Sequence, residues 1–222
     1  DASRLGVSEV AIHAIGDVGI SNALLVAERW RKIAERHHLD PRKIRISHFE
    51  LPIPFEETFR RMRDLEVWAD MEPNFLTDYI YKDRFGDRIT QINPHRLILD
   101  SDVRTFAGTD RMPASPLFAV WCAVNAAFPS QALTTEEALG LFTHAPAEYE
   151  ESPRGTIEEG KRADILVFDR SMLEHLSNDP SDILIKRIEG DQQHDQIAGV
   201  QQDLHASLRE TVMGGKHLFS RP

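Results

Sequence analysis

His13, His48 and Asp110 each close an apolar, strand-like run: Val10-Ala11-Ile12-His13, Ile44-Arg45-Ile46-Ser47-His48, and Val103-Arg104-Thr105-Phe106-Ala107-Gly108-Thr109-Asp110. Two imidazoles and a carboxylate suit a divalent metal such as zinc, whose catalytic sites keep one coordination position open for water. The three residues lie far apart in sequence, so no local loop could hold an ion with them. A fold must gather them. A parallel α/β architecture does this, because each strand delivers its end to one rim.

The intervening sequence supplies the elements for such a fold. Residues 7–13 read as a short buried strand and 18–37 as a helix, with Ile20, Ala23, Leu24, Ala27, Trp30 and Ile33 or Ala34 forming one apolar stripe. Asp40-Pro41 breaks the chain before a strand at 43–48. A short helix from Glu56 to Asp64, with Phe55, Phe59 and Met62 inward, precedes a strand from Val67 to Met71. A loop with short helical pieces carries Tyr79, Tyr81 and Phe85, and Pro94 opens a helix to about Asp100 before the strand at 103–107. Ser115-Pro116 starts an apolar helix expected to reach Phe128, with a Ser cap and Pro at the first position. Thr134 and Glu137 form a capping-box pattern that opens another helix to about Phe142.

Strand–helix alternation repeated in this way predicts parallel strands with right-handed crossovers. After Pro153 the texture turns β-rich: strands are expected at Asp164–Asp169, Ile183–Glu189, Leu208–Met213 and His217–Phe219, with Gly214-Gly215 as a hairpin turn. The polar run from Glu189 to Gln202 reads as a mobile loop.

Composition narrows the partners. The chain has 222 residues, 41% hydrophobic and 28% charged, which suits an ordinary globular core. A net charge of −10 argues against a nucleic-acid surface. No apolar stretch approaches the ~18 residues of a membrane span, so neither nucleic acid nor membrane is an expected partner. The single Cys122 cannot form an internal disulfide and reads as a buried apolar residue. No phosphate-binding glycine loop or nucleophile-elbow motif is present.

His13-Ala14-Ile15-Gly16-Asp17, Arg45-Ile46-Ser47-His48 and Ala107-Gly108-Thr109-Asp110 resemble, in that order, the late barrel strands of the amidohydrolase superfamily. The nearest branch is amidohydrolase family 3, which holds N-substituted formamide deformylases and YtcJ-like hydrolases. The run Glu159-Gly160-Lys161-Arg162-Ala163-Asp164-Ile165-Leu166-Val167-Phe168-Asp169 is similar to that family's return into its small β-domain. Thr211-Val212-Met213-Gly214-Gly215-Lys216 is similar to that domain's closing hairpin. The likeness spans the chain apart from an irregular insertion near 172–207.

The resemblance implies an α/β fold: the C-terminal half of a metal-dependent (β/α)8 TIM barrel in residues 1–153, followed by part of a small β-sandwich domain in 154–222. It implies metal ligation by His13, His48 and Asp110, with zinc as the cofactor. Asp110 would also be the catalytic group, taking a proton from metal-activated water and passing it to a leaving amine. The implied reaction is hydrolysis of carbon–nitrogen bonds other than peptide bonds, in small-molecule amides or N-acyl and N-formyl amines. The family's opening His-x-His pair is absent, so the chain is expected to be the C-terminal part of a longer hydrolase. By itself it would be inactive, with the missing N-terminal half of the barrel as its partner and self-association as a further expectation.

Other readings stand beside these. His13 and His48 could be hydrogen-bonded core histidines, Asp110 could cap the helix that follows it, and Asp17 reads mostly as a helix cap. Glu50 could orient a ligand or be a solvated loop carboxylate. Two positions depart from the family pattern: Arg111 follows the key Asp where a small residue is usual, and Glu72 stands where a Gln is common. Both are candidates for substrate binding. His95 and His144 read as packing or surface residues. The functional alternative is a non-catalytic metal- or ligand-binding remnant of the same fold.

Overall fold

A computed structural model describes residues 9–39, 43–77, 80–111, 114–177, 183–184 and 194–221. The chain divides into two compact units. The first comprises residues 1–72 and 90–106, and the second residues 73–89 and 107–222.

The first unit is built on β1 (Glu9–His13), β2 (Lys43–Ser47) and β3 (Val67–Met71), with β4 (Thr105–Ala107) completing the sheet in the order β1-β2-β3-β4. β1 runs parallel to β2, with His13 opposite Ser47, and β2 runs parallel to β3, with Ser47 opposite Asp70. β4 joins through the Ala69 N–H, which donates to the Arg104 carbonyl at 2.9 Å. All five residues of β3 are buried, as expected of a strand covered on both faces.

Two helices connect these strands. In α1 (Gly16–Arg36) the buried stripe is Ile20, Ala23, Leu24, Ala27 and Ala34. Ala34 rather than Ile33 faces inward, and Trp30 is only half-buried. Asp17 does not cap this helix: the cap position is Ile15, and Asp17 sits inside the first turn, accepting from the Val18 N–H. In α2 (Phe55–Asp64) Phe59 and Met62 are buried and Phe55 stacks on Phe59. Fully burying side chains such as Leu24, Ile44, Ile46 and Met62 contributes roughly 1.5–3 kcal/mol each. The break expected at Asp40-Pro41 lies outside the described residues.

In the second unit, after α3 (Ile80–Phe85), and in the first, at α4 (His95–Asp100), the helical pieces are short. The second unit packs around α5 (Pro116–Val124), whose residues Phe118 to Ala123 are all buried. A helix apolar all round must be covered on every side. α6 (Thr135–Gly140), α8 (Ser171–Ser177) and α9 (His194–Ala206) pack against it, and α7 (His144–Tyr149) follows α6. Ser115 caps α5 as expected, accepting from the Phe118 N–H at 3.2 Å.

The helix stops at Val124, short of the expected Phe128. Asn125 ends it by donating its side-chain amide to the carbonyls of Trp121 and Leu176. Pro129 then holds Phe128 in the extended region. Thr134 and Glu137 form both halves of the capping box on α6.

A second sheet pairs β5 (Ile165–Phe168), β6 (Leu208–Met213) and β7 (Lys216–Ser220) antiparallel. Gly214 and Gly215, at φ 56° and 76°, make the two-residue turn between the last two strands, a conformation that disfavours side-chain-bearing residues. Beside β5, Arg209 hydrogen-bonds Asp169 and holds its carboxyl below the usual range.

Two expectations fail here. Ile183 and Leu184 are helical rather than extended, and 185–189 lies outside the described residues. The polar run expected as a loop is helical from His194 onward, because Ile197 and Leu204, spaced by two turns, are buried against the unit. Among the described residues no helix is long and apolar enough to cross a membrane.

Candidate active site at the strand ends

The parallel pairing of β1 and β2 brings two of the proposed ligands together. His13 is the last residue of β1 and His48 the first after β2, and their rings meet edge-on with centroids 4.4 Å apart. His48 leaves the strand at φ 57°, so the chain turns out of the sheet as soon as it has delivered the imidazole. His13 is exposed, whereas His48 is buried.

β3 adds a third group. Glu72 follows its last residue, accepts the His48 backbone N–H at 3.0 Å and lies 3.5 Å from the His48 Nδ1. The Asn93 side chain donates to the Glu72 carbonyl at 3.5 Å. Glu50 completes the cluster from the segment beyond β2, its own carbonyl accepting the Gly16 N–H at 3.0 Å. His48, Glu50 and Glu72 each bring one ligand atom to within 4.8 Å of the others, and all three are buried. Glu50 is fully buried, which rules out the solvated loop carboxylate.

The donor set fits a divalent cation. Imidazole nitrogen with carboxylate oxygen suits zinc and neighbouring first-row metals. Two carboxylates this close and this buried repel one another unless a positive charge or a proton stands between them.

Asp110 and Arg111 belong to the second unit and follow β4 on the loop 108–111. Both are exposed and both adopt the left-handed region, at φ 38° and 63°. The loop is fixed within its unit by Asn74, whose side-chain amide donates to the Thr109 carbonyl at 2.8 Å. Asp110 is not the cap of the helix that follows, since that position is held by Ser115. His144 is exposed on α7, while His95 is fully buried at the start of α4, and burial lowers its pKa from 6.5 to about 4. Cys122 is buried, which pushes its thiol up from the usual range.

Successive parallel strands that bring imidazoles and carboxylates to one edge are what the rim of a (β/α) barrel supplies, and the comparisons agree with that fold. Residues 6–219 match the model of the amidohydrolase family, and the chain belongs to that family. It is 27% identical over 203 residues to the N-substituted formamide deformylase of Arthrobacter pascens, covering 84% of this chain and 36% of that protein. It is 28% identical over 177 residues to the putative amidohydrolase YtcJ of Bacillus subtilis, covering 72% of this chain and 32% of that one. The chain thus spans about a third of the length of these relatives. Among solved structures, guanine deaminase from C. acetobutylicum superposes with a TM-score of 0.52 at 15% identity, over 95% of this chain and 49% of that one. The fold is therefore the C-terminal part of an amidohydrolase barrel together with a small antiparallel sheet.

Proposed function

We propose that this chain is the C-terminal part of a metal-dependent hydrolase that cleaves carbon–nitrogen bonds other than peptide bonds, in amides or N-acyl and N-formyl amines. The observation that carries the reading is the meeting of His13 and His48 at the ends of adjacent parallel strands, with Glu72 beside His48, in a chain of this family. The formamide deformylase relative favours a small amide as substrate. The chain matches only about a third of these relatives, and the barrel strands missing here, supplied by a portion like their unmatched part, would be its partner.

His13 and His48 would hold the metal, zinc being the best match to the donors, and Asp110 would join them in the assembled protein. When bound, the metal lowers the pKa of water toward ~7 and polarises the scissile carbonyl. Asp110, a carboxylate on a loop anchored by Asn74, would take the proton from the attacking water and return it to the departing amine nitrogen. Glu72 would keep the His48 backbone in place through the N–H bond, and Arg111 would receive an anionic or carbonyl part of the substrate.

The test is metal content. His48→Ala should strip the protein of bound zinc after dialysis, measured by elemental analysis, while His144→Ala, on an exposed helical position, should retain it. Equal zinc in the wild type and the His48 variant would refute the reading. Stoichiometric zinc without turnover of any amide would favour a non-catalytic binding protein.

A further inference from the structure

Asp110 and Arg111 stand on backbone that their own residue types do not select. Both lie in the left-handed region, at φ 38° and 63°. Two positive φ values in a row make a turn that glycine and asparagine normally fill. Aspartate visits the region through its short polar side chain, but arginine there crowds its Cβ against a carbonyl oxygen. Such a turn persists only where the surrounding structure holds it.

The approach to the turn is pinned twice within the second unit. The Ala107 N–H donates to the Leu141 carbonyl at 3.0 Å, and the Thr109 carbonyl accepts the side-chain amide of Asn74 at 2.8 Å. The second pin falls on the peptide that leads directly into Asp110. Asn74 is itself fixed: it is fully buried between buried Pro73 and Phe75, on a 3-10 turn (Pro73–Thr77) that packs against α5. From this geometry we propose that Asn74 is a positioning residue for Asp110, its buried amide holding the Thr109 carbonyl and with it the left-handed turn that presents the carboxylate. The proposal rests on the reading of Asp110 as the proton-transferring group and adds the residue through which that group is kept in place. A donor is what the position requires, because a carbonyl oxygen can only accept. Proline at 73 fixes its own φ, so the arm that carries the amide has little freedom to retreat.

The experiment is a double-mutant cycle compared by urea denaturation: wild type, Asn74→Leu, Arg111→Gly and the double variant. Leucine is close to asparagine in size and donates nothing. Arg111→Gly accepts positive φ freely, so the turn then needs less holding. Asn74→Leu should therefore cost at least about fivefold less in the unfolding equilibrium constant when Arg111→Gly is also present, a coupling on the scale usual for interacting sites. Costs equal within about twofold in both backgrounds would mean that Asn74 serves packing alone, and would overturn the proposal. Should Asn74→Leu fail to fold, Asn74→Ser, whose hydroxyl is too short an arm to keep the bond, takes its place in the cycle with the same expected coupling.

The second measurement is turnover of an N-substituted formamide by the assembled enzyme, the substrate class named for one relative. A displacement of ~1 Å near a reacting group costs on the order of 10²-fold in rate, so Asn74→Leu should lower kcat by about tenfold or more. An additive cycle sinks this inference and leaves the reading of Asp110 standing. Near-normal kcat in Asn74→Leu sinks it too, whereas near-normal kcat in Asp110→Asn removes the reading of Asp110 on which it rests.

Discussion

His95 should make this protein acid-sensitive by an amount that its burial fixes. The side chain is fully buried at the start of α4, and neither ring nitrogen meets a hydrogen-bond partner among the described residues. Burial alone lowers its pKa from 6.5 to about 4, since the charged imidazolium has lost its water without gaining an anion. The folded pKa lies below the unfolded one, so between those values the unfolded chain binds more protons and stability falls as pH drops. At 1.36 kcal/mol per pH unit the whole displacement corresponds to about 3 kcal/mol, complete near pH ~4, with about 2 kcal/mol of it lost between pH 7 and pH 5. His95→Leu removes the titrating group and leaves no partner stranded, so at pH 7 it should be neutral or slightly stabilising. The assay is urea denaturation of both proteins from pH 7.5 to 4.5. Carboxylates elsewhere contribute to both curves and cancel in the difference. The wild type should lose about 2 kcal/mol more than the variant between pH 7 and pH 5; parallel curves would show that the buried ring is charge-compensated and refute the reasoning.

Other perturbations follow from the same geometry. Asp110→Asn keeps the size and an oxygen donor of the loop carboxylate but removes its basicity; turnover of an amide substrate by the assembled enzyme should fall by about 10²-fold or more, and a near-normal kcat would assign the proton to another group. Thr134→Ala deletes one half of the capping box on α6 and should cost about 1 kcal/mol in chemical denaturation without changing metal content.

Much of the fold was legible because period and punctuation agreed. The β3 strand stands where its apolar run placed it, α1 buries the stripe read from its spacing, and the Ser115 and Thr134 caps form as their residue types require. The failures have specific causes. α5 ends early because Asn125 diverts its side chain to two carbonyls, a contact with Leu176 that lies 51 positions away and is invisible to local patterning. The Gln- and Asp-rich run reads as a loop on polarity alone, yet Ile197 and Leu204 suffice to seat a helix when a partner surface is available. Polarity reports what a segment can leave in water, not what a neighbour will cover.

The site divides along the same line. The meeting of His13 and His48 was legible because strand termini in a parallel sheet converge by construction, while the motif resemblance is what singled these two residues out as candidate ligands. Glu50 was not, since a carboxylate two residues past a strand is most often solvated. The signal that could have exposed it is its company: Phe49 and Leu51 flank it and are both fully buried, and a charge set between such neighbours follows them inward. Glu72 lay between these cases, marked as a departure from the Gln expected there and assigned to the substrate. The structure sets its carboxylate beside the His48 Nδ1, a contact the residue type alone did not announce. A substitution of amide by carboxylate at a buried strand end changes little in shape and a full unit in charge, so it is charge, not fit, that sets this position apart from the family pattern.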